Sequence, residues 1–390
     1  MKVPARLRQL DALLPAFHEL WHPQPFREIR PAWCERWPAL ADELLALPEG
    51  DIASFNDNTE RAIALIARHL PDVAELVMLG ALPNRPTLKA EMHGVHWAWE
   101  IPGRKRQQIE AFAAAARNSG QPVIDWCGGK GHLGRLLALQ WQIPVHTLEI
   151  DPVLCGEGVA LGQRQSARQQ FIVADALTVD EWPASGQHAV ALHACGELHR
   201  RLIERGVAKG VDRFDIAPCC YFRGVGEHYQ PLSGALKTQQ TRDDTRLAVT
   251  ETVTASSRLV RQRDLEMAWK LGFDAWRRAS SMAHYQNFKP VPAAWFRGQF
   301  SGFLAQMAMR EGLPVASKSA AQHFEAQGWQ RQREVMRLSI ARHAFRRALE
   351  VWLASDLAVY LENKGYCVEL GAFCERQLTP RNILIAAQLG

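Results

Sequence analysis

The sequence contains no long hydrophobic run and no export signal. A stretch of eighteen consecutive apolar residues does not occur, so a membrane-spanning helix is not expected. No basic N-terminal segment leads into an apolar stretch, so secretion is not indicated either. These absences make the cytoplasm the expected compartment and predict no membrane partner.

A disulfide framework and a paired-cysteine metal motif are not expected either. The 8 cysteines are irregularly spaced, which in a chain of this length is not the pattern of a disulfide-stabilised domain. The C-x-x-C pairs that structural zinc sites use are absent. The cysteines are therefore expected to be reduced thiols, and no metal is predicted.

Length and charge point to more than one unit and to a polyanionic substrate. At 390 residues the chain exceeds one ordinary domain. Residues 226–364 carry 20 basic and 13 acidic side chains, whereas the remaining chain carries 26 and 28. A basic module beside a catalytic domain favours nucleic acid as the partner. A solvated, arginine-rich helical surface is the alternative interpretation.

A glycine-rich turn stands out in the first half of the chain. Residues 122–124 predict a buried strand, residues 125–132 a tight turn and residues 133–140 a helix. Backbone N–H groups at a helix N-terminus, beside positions without a Cβ, form a cradle for a nucleotide-type ligand. Cys127 stands where the dinucleotide fingerprint has a glycine, which favours a different adenosine ligand.

Acidic residues end the next two predicted strands. The strand at residues 144–150 ends in Glu149, whose carboxylate is suited to bind both ribose hydroxyls. Asp151 follows it directly. The strand at residues 171–174 leads into Asp175 and Ala176, and the carboxylate of Asp175 is suited to accept a hydrogen bond from an adenine amine.

These features resemble motifs one to three of the Rossmann-like, or class I, S-adenosylmethionine-dependent methyltransferases. The resemblance implies an α/β fold with a seven-stranded methyltransferase sheet. It also implies S-adenosylmethionine as cofactor. The residues that it assigns to the cofactor site are Asp125, Cys127, Gly128, Gly129, Gly131, His132, Glu149, Asp151, Asp175 and Ala176.

Four motifs resemble one subfamily more closely. They are Asp125-x-Cys127-x-Gly129-Lys130-Gly131-His132-Leu133, His193-Ala194-Cys195-Gly196-Glu197-Leu198, Cys219-Cys220-Tyr221 and Pro380-Arg381-Asn382. The subfamily includes the eukaryotic ribosomal RNA adenine dimethylase domain-containing proteins and the glutathione S-transferase C-terminal-domain-containing protein. The likeness implies methyl transfer, leaves the acceptor open, and makes Tyr221, Arg381 and Asn382 candidates for substrate binding.

Thiols and an imidazole follow the predicted fourth and fifth strands, at residues 188–192 and 214–217. These strands are neighbours in the superfamily's sheet, so the resemblance places His193, Cys195, Cys219 and Cys220 together beside the reactive methyl group. Three interpretations of this cluster are open. The first is packing, because small thiols fill the space at strand ends. The second is a site for a soft metal ion, and the third is nucleophilic catalysis, in which a thiolate adds to C6 of a pyrimidine. His193 is the preferred general base, because its ordinary pKa lies near neutrality.

The end of the fourth strand also argues against one acceptor. Methyltransferases that act on the adenine amine typically carry Asn or Asp, two prolines and an aromatic residue there, which this chain lacks. RNA of the translation machinery, either rRNA or tRNA, is the leading acceptor. The alternatives are a protein side chain, RNA pyrimidine C5 with a cysteine nucleophile, or a non-catalytic cofactor-binding scaffold.

The expected organisation has four segments. An N-terminal helical region at 1–100 precedes the cofactor-binding domain at 101–225. A basic helical insertion at 226–364 separates strands five and six, and residues 365–390 supply the last strands. One helix from about 333 to 362 is predicted, with a phosphate-facing stripe of Arg333, Arg337 and Arg347. The sequence does not indicate an oligomeric state.

Overall fold

The computed structural model describes residues 1–87, 96–234, 236, 238–251, 256–281 and 284–390. These residues form two compact units. The sheet unit contains Met1–Pro15, Val77–Glu251 and Arg346–Gly390. The helical unit contains Ala16–Leu76 and Thr252–Phe345. Neither unit is continuous along the chain.

A seven-stranded sheet forms the centre of the sheet unit, in the order β3-β2-β1-β4-β5-β7-β6. Strand β7 runs antiparallel to both of its neighbours, and the pairs from β3 to β5 are parallel. The Rossmann-like α/β prediction is confirmed. The strands are β1 Val123–Trp126, β2 Val145–Glu149, β3 Gln169–Val173, β4 His188–Cys195, β5 Arg213–Cys219, β6 Tyr366–Ala372 and β7 Ile383–Leu389.

Helices surround the sheet and make up the other unit. They are α1 Val3–Ala16, α2 His18–Trp21, α3 Trp33–Arg36, α4 Pro38–Leu45, α5 Glu49–Asp57, α6 Thr59–Ala67, α7 Glu75–Gly80, α8 Gly103–Ala115, α9 His132–Trp141, α10 Pro152–Arg164, α11 Glu197–Lys209, α12 Arg242–Leu247, α13 Ser257–Ser281, α14 Phe300–Glu311, α15 Lys318–His343 and α16 Arg346–Asn363. In the described part of the chain, no helix is both long enough and apolar enough to cross a bilayer.

The strand order reverses between β1 and β4, and this defines where a ligand fits. In open α/β sheets the crevice outside the carboxyl ends of two such strands is the usual binding place. Helices α8 and α9 cover β1 through an apolar cluster that includes Phe112, Leu136, Leu137 and Val123. This packing fixes the turn between β1 and α9 against the sheet.

The helical unit has its own core of aromatic side chains. Trp269 and Phe273 on α13 pack with Phe300 and Phe303 on α14. Asn58 caps the start of α6, because its side chain accepts a hydrogen bond from the backbone N–H of Arg61 at 2.9 Å. The unit therefore has the buried apolar contacts expected of a folded module.

The prediction of a single long helix over residues 333–362 is wrong. Helix α15 ends at His343 and α16 begins at Arg346. Arg347 is buried in the sheet unit, where its guanidinium donates to Glu350 at 2.7 Å. Arg337 lies in the helical unit and donates through Nε to the carbonyl of Leu47 at 3.0 Å. The arginines therefore do not form one stripe.

The helical insertion between strands five and six is present, but the compact units cut across the predicted segments. Residues 252–345 carry 14 basic and 6 acidic side chains, whereas residues 16–76 of the same unit carry 5 and 11. The helical unit is consequently near neutral as a whole. Any polyanion-binding surface on it must be local rather than a property of its net charge.

Candidate functional site

The carboxylate of Asp125 fixes the glycine-rich turn by a hydrogen bond to the start of α9. It is buried at the end of β1, and its Oδ2 accepts the N–H of Gly134, in the first turn of α9, at 3.0 Å. Thr147 on β2 also hydrogen-bonds to it. Burial raises the pKa of Asp125 to about 6, and these hydrogen bonds oppose that rise. Asp125 therefore shapes the cradle from inside.

Gly131 is needed where the turn enters α9. Its φ is +62°, and a Cβ there would lie 2.2 Å from Nε2 of Gln169 and 2.6 Å from the ring of Phe171. Gln169 is itself fixed, because it donates to the carbonyl of Gly131 and to the hydroxyl of Thr147, each at 2.8 Å. Glycine thus lets the turn lie directly on β3.

Glu149 lies next to the glycine-rich turn. Its Oε2 accepts the N–H of Gly129 at 3.0 Å. Its Oε1 accepts the N–H groups of Ile150 at 2.9 Å and Asp151 at 3.1 Å. These bonds fix the carboxylate in a half-exposed position, with lone pairs left for a ligand.

The other acidic residues of this edge are engaged by the backbone. Asp175 accepts the N–H of Leu177 at 2.9 Å through one carboxylate oxygen. Asp151 caps α10 by accepting the N–H of Val153 at 2.8 Å. Ala176 is buried beside Asp175. Asp175 therefore orders the turn after β3, whereas Asp151 stabilises the start of α10.

Cys127 lies among these carboxylates as a neutral thiol. Burial raises its pKa to about 12, with further contributions from the negative charges of Glu149 and Asp125. Its φ of 57° belongs to the left-handed region, where glycine is the usual residue. Gly128 beside it packs against Asp125, since a Cβ would lie 2.4 Å from Oδ2. The side of the turn that packs against Asp125 is thus rigid and electronegative.

His132 is placed differently from the expectation. Its side chain is 4% exposed, and Nδ1 lies 2.8 Å from the guanidinium of Arg135. Burial and the charge of Arg135 lower its pKa to about 3, so it is neutral at physiological pH. The ring packs into the interior, and the assignment of His132 to the cofactor site stays a prediction.

His193 is exposed at the end of β4 and is neutral at physiological pH. Partial desolvation and the charge of Lys105 lower its pKa below 6.5. Its Nε2 lies 3.0 Å from Oε1 of Gln108, and Gln108 in turn donates to the carbonyl of Leu378 at 3.3 Å. This arrangement assigns the ring proton to Nε2 and leaves Nδ1 as the proton acceptor.

The three predicted cysteines lie together. The Sγ atoms of Cys195, Cys219 and Cys220 are all within 4.8 Å of one another. Hydrogen bonds from the other two thiols, and the charges of Arg223 and Arg381, lower the pKa of Cys220. Cys219 is buried and its pKa is raised, first by its hydrogen bond to Cys195. Cys220 is therefore the thiol that ionises first.

The predicted substrate residues are divided between the edge and the interior. Arg381 donates to the carbonyl of Val249 and influences the charge state of Cys220, so it lies at the edge. Asn382 is buried and donates to the carbonyl of Cys374 at 2.7 Å. Tyr221 is 2% exposed, so its side chain lies in the interior, and substrate binding by it stays a prediction. Burial raises the pKa of Tyr221 well above 10.

Sequence reasoning missed Gln108 as part of this site. It lies on α8, far from the motifs along the chain, and only the fold brings it to His193. Lys105 on the same helix lowers the pKa values of both Asp125 and His193. The basic start of α8 was the available signal, because three adjacent cations leading into a site-bordering helix suit an anionic ligand.

Comparison with known proteins agrees with this geometry. Residues 104–223 match the model of a family described as a methyltransferase domain. A Drosophila pseudoobscura pseudoobscura protein, named glutathione S-transferase C-terminal domain-containing protein homolog, is 30% identical over 125 residues, which are 30% of this chain and 20% of that protein. The chain thus spans only a fifth to a quarter of the length of the curated relatives that it matches.

Two solved structures illustrate the range of similar folds. Magnesium protoporphyrin IX methyltransferase from Synechocystis, with bound S-adenosylhomocysteine, is 12% identical and has a TM-score of 0.31, over 73% of this chain and 83% of that one. An rRNA methylase from Streptococcus thermophilus is 13% identical and has a TM-score of 0.23, over 30% and 70%.

The fold and the site define an S-adenosylmethionine-dependent methyltransferase domain, and the family match assigns it to residues 104–223. The motifs predict S-adenosylmethionine as the cofactor of this domain. The glycine-rich turn, Glu149 and Asp175 lie at the carboxyl ends of β1, β2 and β3, and His193 and the three cysteines lie at the carboxyl ends of β4 and β5 in the same sheet.

Proposed function

We propose that this protein transfers a methyl group from S-adenosylmethionine to RNA of the translation machinery, either rRNA or tRNA. The observation that supports S-adenosylmethionine as the methyl donor is the position of the Glu149 carboxylate, which accepts a hydrogen bond from the N–H of Gly129. The proposed compartment is the cytoplasm, in keeping with 8 unpaired thiols.

The residues at this edge of the sheet suit the donor by their chemistry. Glu149 presents a fixed carboxylate to the ribose hydroxyls, and charge-assisted hydrogen bonds of this kind are strong. The free oxygen of Asp175 suits the adenine amine. Lys105, exposed at the start of α8, supplies a cation for the carboxylate of the donor's amino acid end. The donor supplies an electrophilic methyl group on a sulfonium.

His193 is proposed to remove the proton of the acceptor. Gln108 orients its ring and leaves Nδ1 unprotonated. A base with a pKa somewhat below neutrality is present in the correct form at physiological pH. Positioning of the acceptor against the methyl group supplies most of the remaining rate enhancement.

A cluster of exposed arginines supports RNA as the acceptor. Arg258, Arg261 and Arg263 lie in the first two turns of α13, and all three are exposed. None of them forms a salt bridge with a carboxylate among the described residues, so their charges remain available for phosphates. This cluster replaces the stripe that the sequence predicts at Arg333, Arg337 and Arg347.

Calorimetry tests whether S-adenosylmethionine is the methyl donor. S-adenosylhomocysteine is expected to bind and NADH is not, because the turn and Glu149 accommodate a single adenosine. Binding of NADH without a response to S-adenosylhomocysteine would overturn the assignment.

The acceptor is tested by mass spectrometry of RNA nucleosides and ribosomal proteins from cells with and without the gene. Loss of one methylated nucleoside is expected. Loss of a methylated protein side chain would refute the RNA proposal and identify the alternative acceptor. If both classes are unchanged, the domain acts as a cofactor-binding scaffold.

RNA binding is tested by changing Arg258, Arg261 and Arg263 to glutamine together. RNA affinity is expected to fall by tenfold or more, on the order of a kcal/mol per lost phosphate contact in charge-assisted hydrogen bonds. Affinity for S-adenosylhomocysteine should be unchanged. The matched control changes Arg164 and Arg168, which are exposed near the amino end of β3. Equal effects of the two variants would count against the cluster.

A further inference from the structure

Three thiols from two strand ends have the spacing of metal ligands. The Sγ atoms of Cys195 and Cys219 are 3.4 Å apart, and all three sulfurs lie within 4.8 Å of one another when Cys220 is included. A tetrahedral zinc ion with Zn–S bonds of about 2.3 Å separates its sulfur ligands by about 3.8 Å. The 3.4 Å separation of Cys195 and Cys219, and the 4.8 Å upper limit on the other two distances, are compatible with this value.

The end of β4 is bent in a way that brings Cys195 to its position. The register of β4 against β5 shifts between Leu192 and Cys195, so that Cys195 comes to lie opposite Cys219. His193, within this irregularity, has a φ of 72°. A left-handed non-glycine residue costs free energy, and such conformations persist mainly at functional sites.

The loop after β5 is held against this bend. The N–H of Gly196 donates to the carbonyl of Cys219 at 2.9 Å. A Cβ on Gly196 would lie 2.2 Å from the carbonyl oxygen of Arg223, so the two loops approach more closely than any other residue allows. Cys220 has a φ of 46°, a second left-handed non-glycine residue in the cluster. Backbone conformation on both strands thus converges on the sulfurs.

The surrounding charge suits thiolates. Arg223 and Arg381 lie close enough to Cys220 to interact with it electrostatically. Zinc bound by three thiolates carries a net charge of −1, which these guanidinium groups offset. Packing alone would need neither cations nor left-handed residues around the sulfurs, because small thiols fill apolar space without them.

We infer that Cys195, Cys219 and Cys220 bind a zinc ion through three thiolates, with a fourth coordination position left for water or another small ligand. Binding displaces the thiol protons to solvent. Three protein ligands with an open position are typical of catalytic rather than structural zinc. The C-x-x-C spacing is absent because the ligands come from two neighbouring strands. The inference does not depend on methyl transfer.

Metal analysis of the full-length chain provides the test, after purification without immobilised metal. About one zinc per chain is expected, as one trithiolate site requires. Cys195→Ser, Cys219→Ser and Cys220→Ser should each retain at most about a tenth of it, because zinc sites lose affinity steeply with each thiolate. The matched control is Cys127→Ser, a partly buried thiol outside the cluster, which should retain zinc.

A second measurement on the unmodified chain keeps the inference testable if these variants do not fold. Reconstitution with Co²⁺ should give the thiolate-to-cobalt charge-transfer absorption of a sulfur-rich tetrahedral site. Chelation should make three further thiols reactive towards a thiol reagent. Absence of zinc and of the cobalt absorption would overturn the inference, as would full zinc in all three variants. A Cys195–Cys219 disulfide in protein prepared under reducing conditions would also overturn it.

Discussion

At the scale of single residues, the buried carboxylate of Asp125 makes stability depend on pH. Its pKa is raised from 3.8 to about 6 in the folded chain. A carboxyl group whose pKa is higher in the folded chain than in the unfolded chain stabilises the fold at pH values below the unfolded-state pKa. This stabilisation is lost as the pH rises through the folded-state pKa. The corresponding free energy is about 3 kcal/mol.

Asp125→Asn should therefore gain stability relative to the unmodified chain as pH rises from 4 to 7. The Asn side chain does not titrate, and its oxygen still accepts the N–H of Gly134. Urea unfolding of both proteins across this range measures the difference, so that contributions of other groups cancel. A difference that does not vary with pH would show that Asp125 is not protonated preferentially in the folded state.

Glu149→Ala should weaken S-adenosylhomocysteine binding by about 1–3 kcal/mol, because charge-assisted hydrogen bonds to ribose are lost. Isothermal titration calorimetry gives the change. Glu157→Ala is the matched control, since Glu157 is exposed on α10 and pairs with Lys130. Comparable losses in the two variants would mean that Glu149 has no specific contact with the ligand.

Cys220 is expected to form no covalent intermediate with RNA. Its thiolate is stabilised by two thiols and two guanidinium groups. Thiolates of low pKa are correspondingly weak nucleophiles. Incubation of the protein and donor with RNA containing 5-fluorocytidine should leave no adduct that survives denaturation. An adduct that disappears in Cys220→Ser would instead make this a pyrimidine-C5 methyltransferase.

At the scale of elements, the entry into α9 depends on glycine for two reasons. Gly131→Ala places a Cβ against Gln169 and Phe171 in a left-handed conformation, and should destabilise the fold by about 2–4 kcal/mol. Gly120→Ala is the control, since Gly120 has a φ of 76° but nothing within 4 Å of an added Cβ. It should cost only about 1–2 kcal/mol. Denaturant unfolding compares them, and equal losses would contradict the steric explanation.

Local pattern predicts the elements whose signals are local. The apolar run before Asp125, the glycines and the acidic strand ends indicate the turn and its neighbours, and the structure agrees closely there. The convergence of Cys195 with Cys219 depends on a register shift between β4 and β5, which no local pattern reveals. Gln108 reaches His193 only through the packing of α8.

The break between α15 and α16 was beyond sequence reasoning for a similar cause. No proline or glycine marks residues 344 and 345, and the apolar residues continue through them in helical register. The compact units nevertheless divide at Phe345 and Arg346. Helix α16 is buried on nearly every side, so the charge of Arg347 is neutralised inside the sheet unit by Glu350.

At the scale of the whole molecule, charge distribution sets the salt dependence of RNA binding. The helical unit is near neutral, so the contribution of its phosphate contacts is expected from Arg258, Arg261 and Arg263 alone. Replacing all three with glutamine should reduce the slope of log affinity against log salt by about 2 for single-stranded RNA. Filter binding at several salt concentrations measures both slopes. An unchanged slope would mean that these side chains do not contact phosphates.

The strand order also affects how the chain folds during its synthesis. Strand β7 pairs with β5, although the 163 residues from Cys220 to Asn382 separate them. At translation rates of roughly 5–20 residues per second, β5 waits on the order of ten to thirty seconds for its partner to be synthesised. Throughout that interval its outer edge presents unpaired backbone groups, which recruit other strands. Nascent chains halted before residue 383 are therefore expected to be recognised by chaperones and proteases.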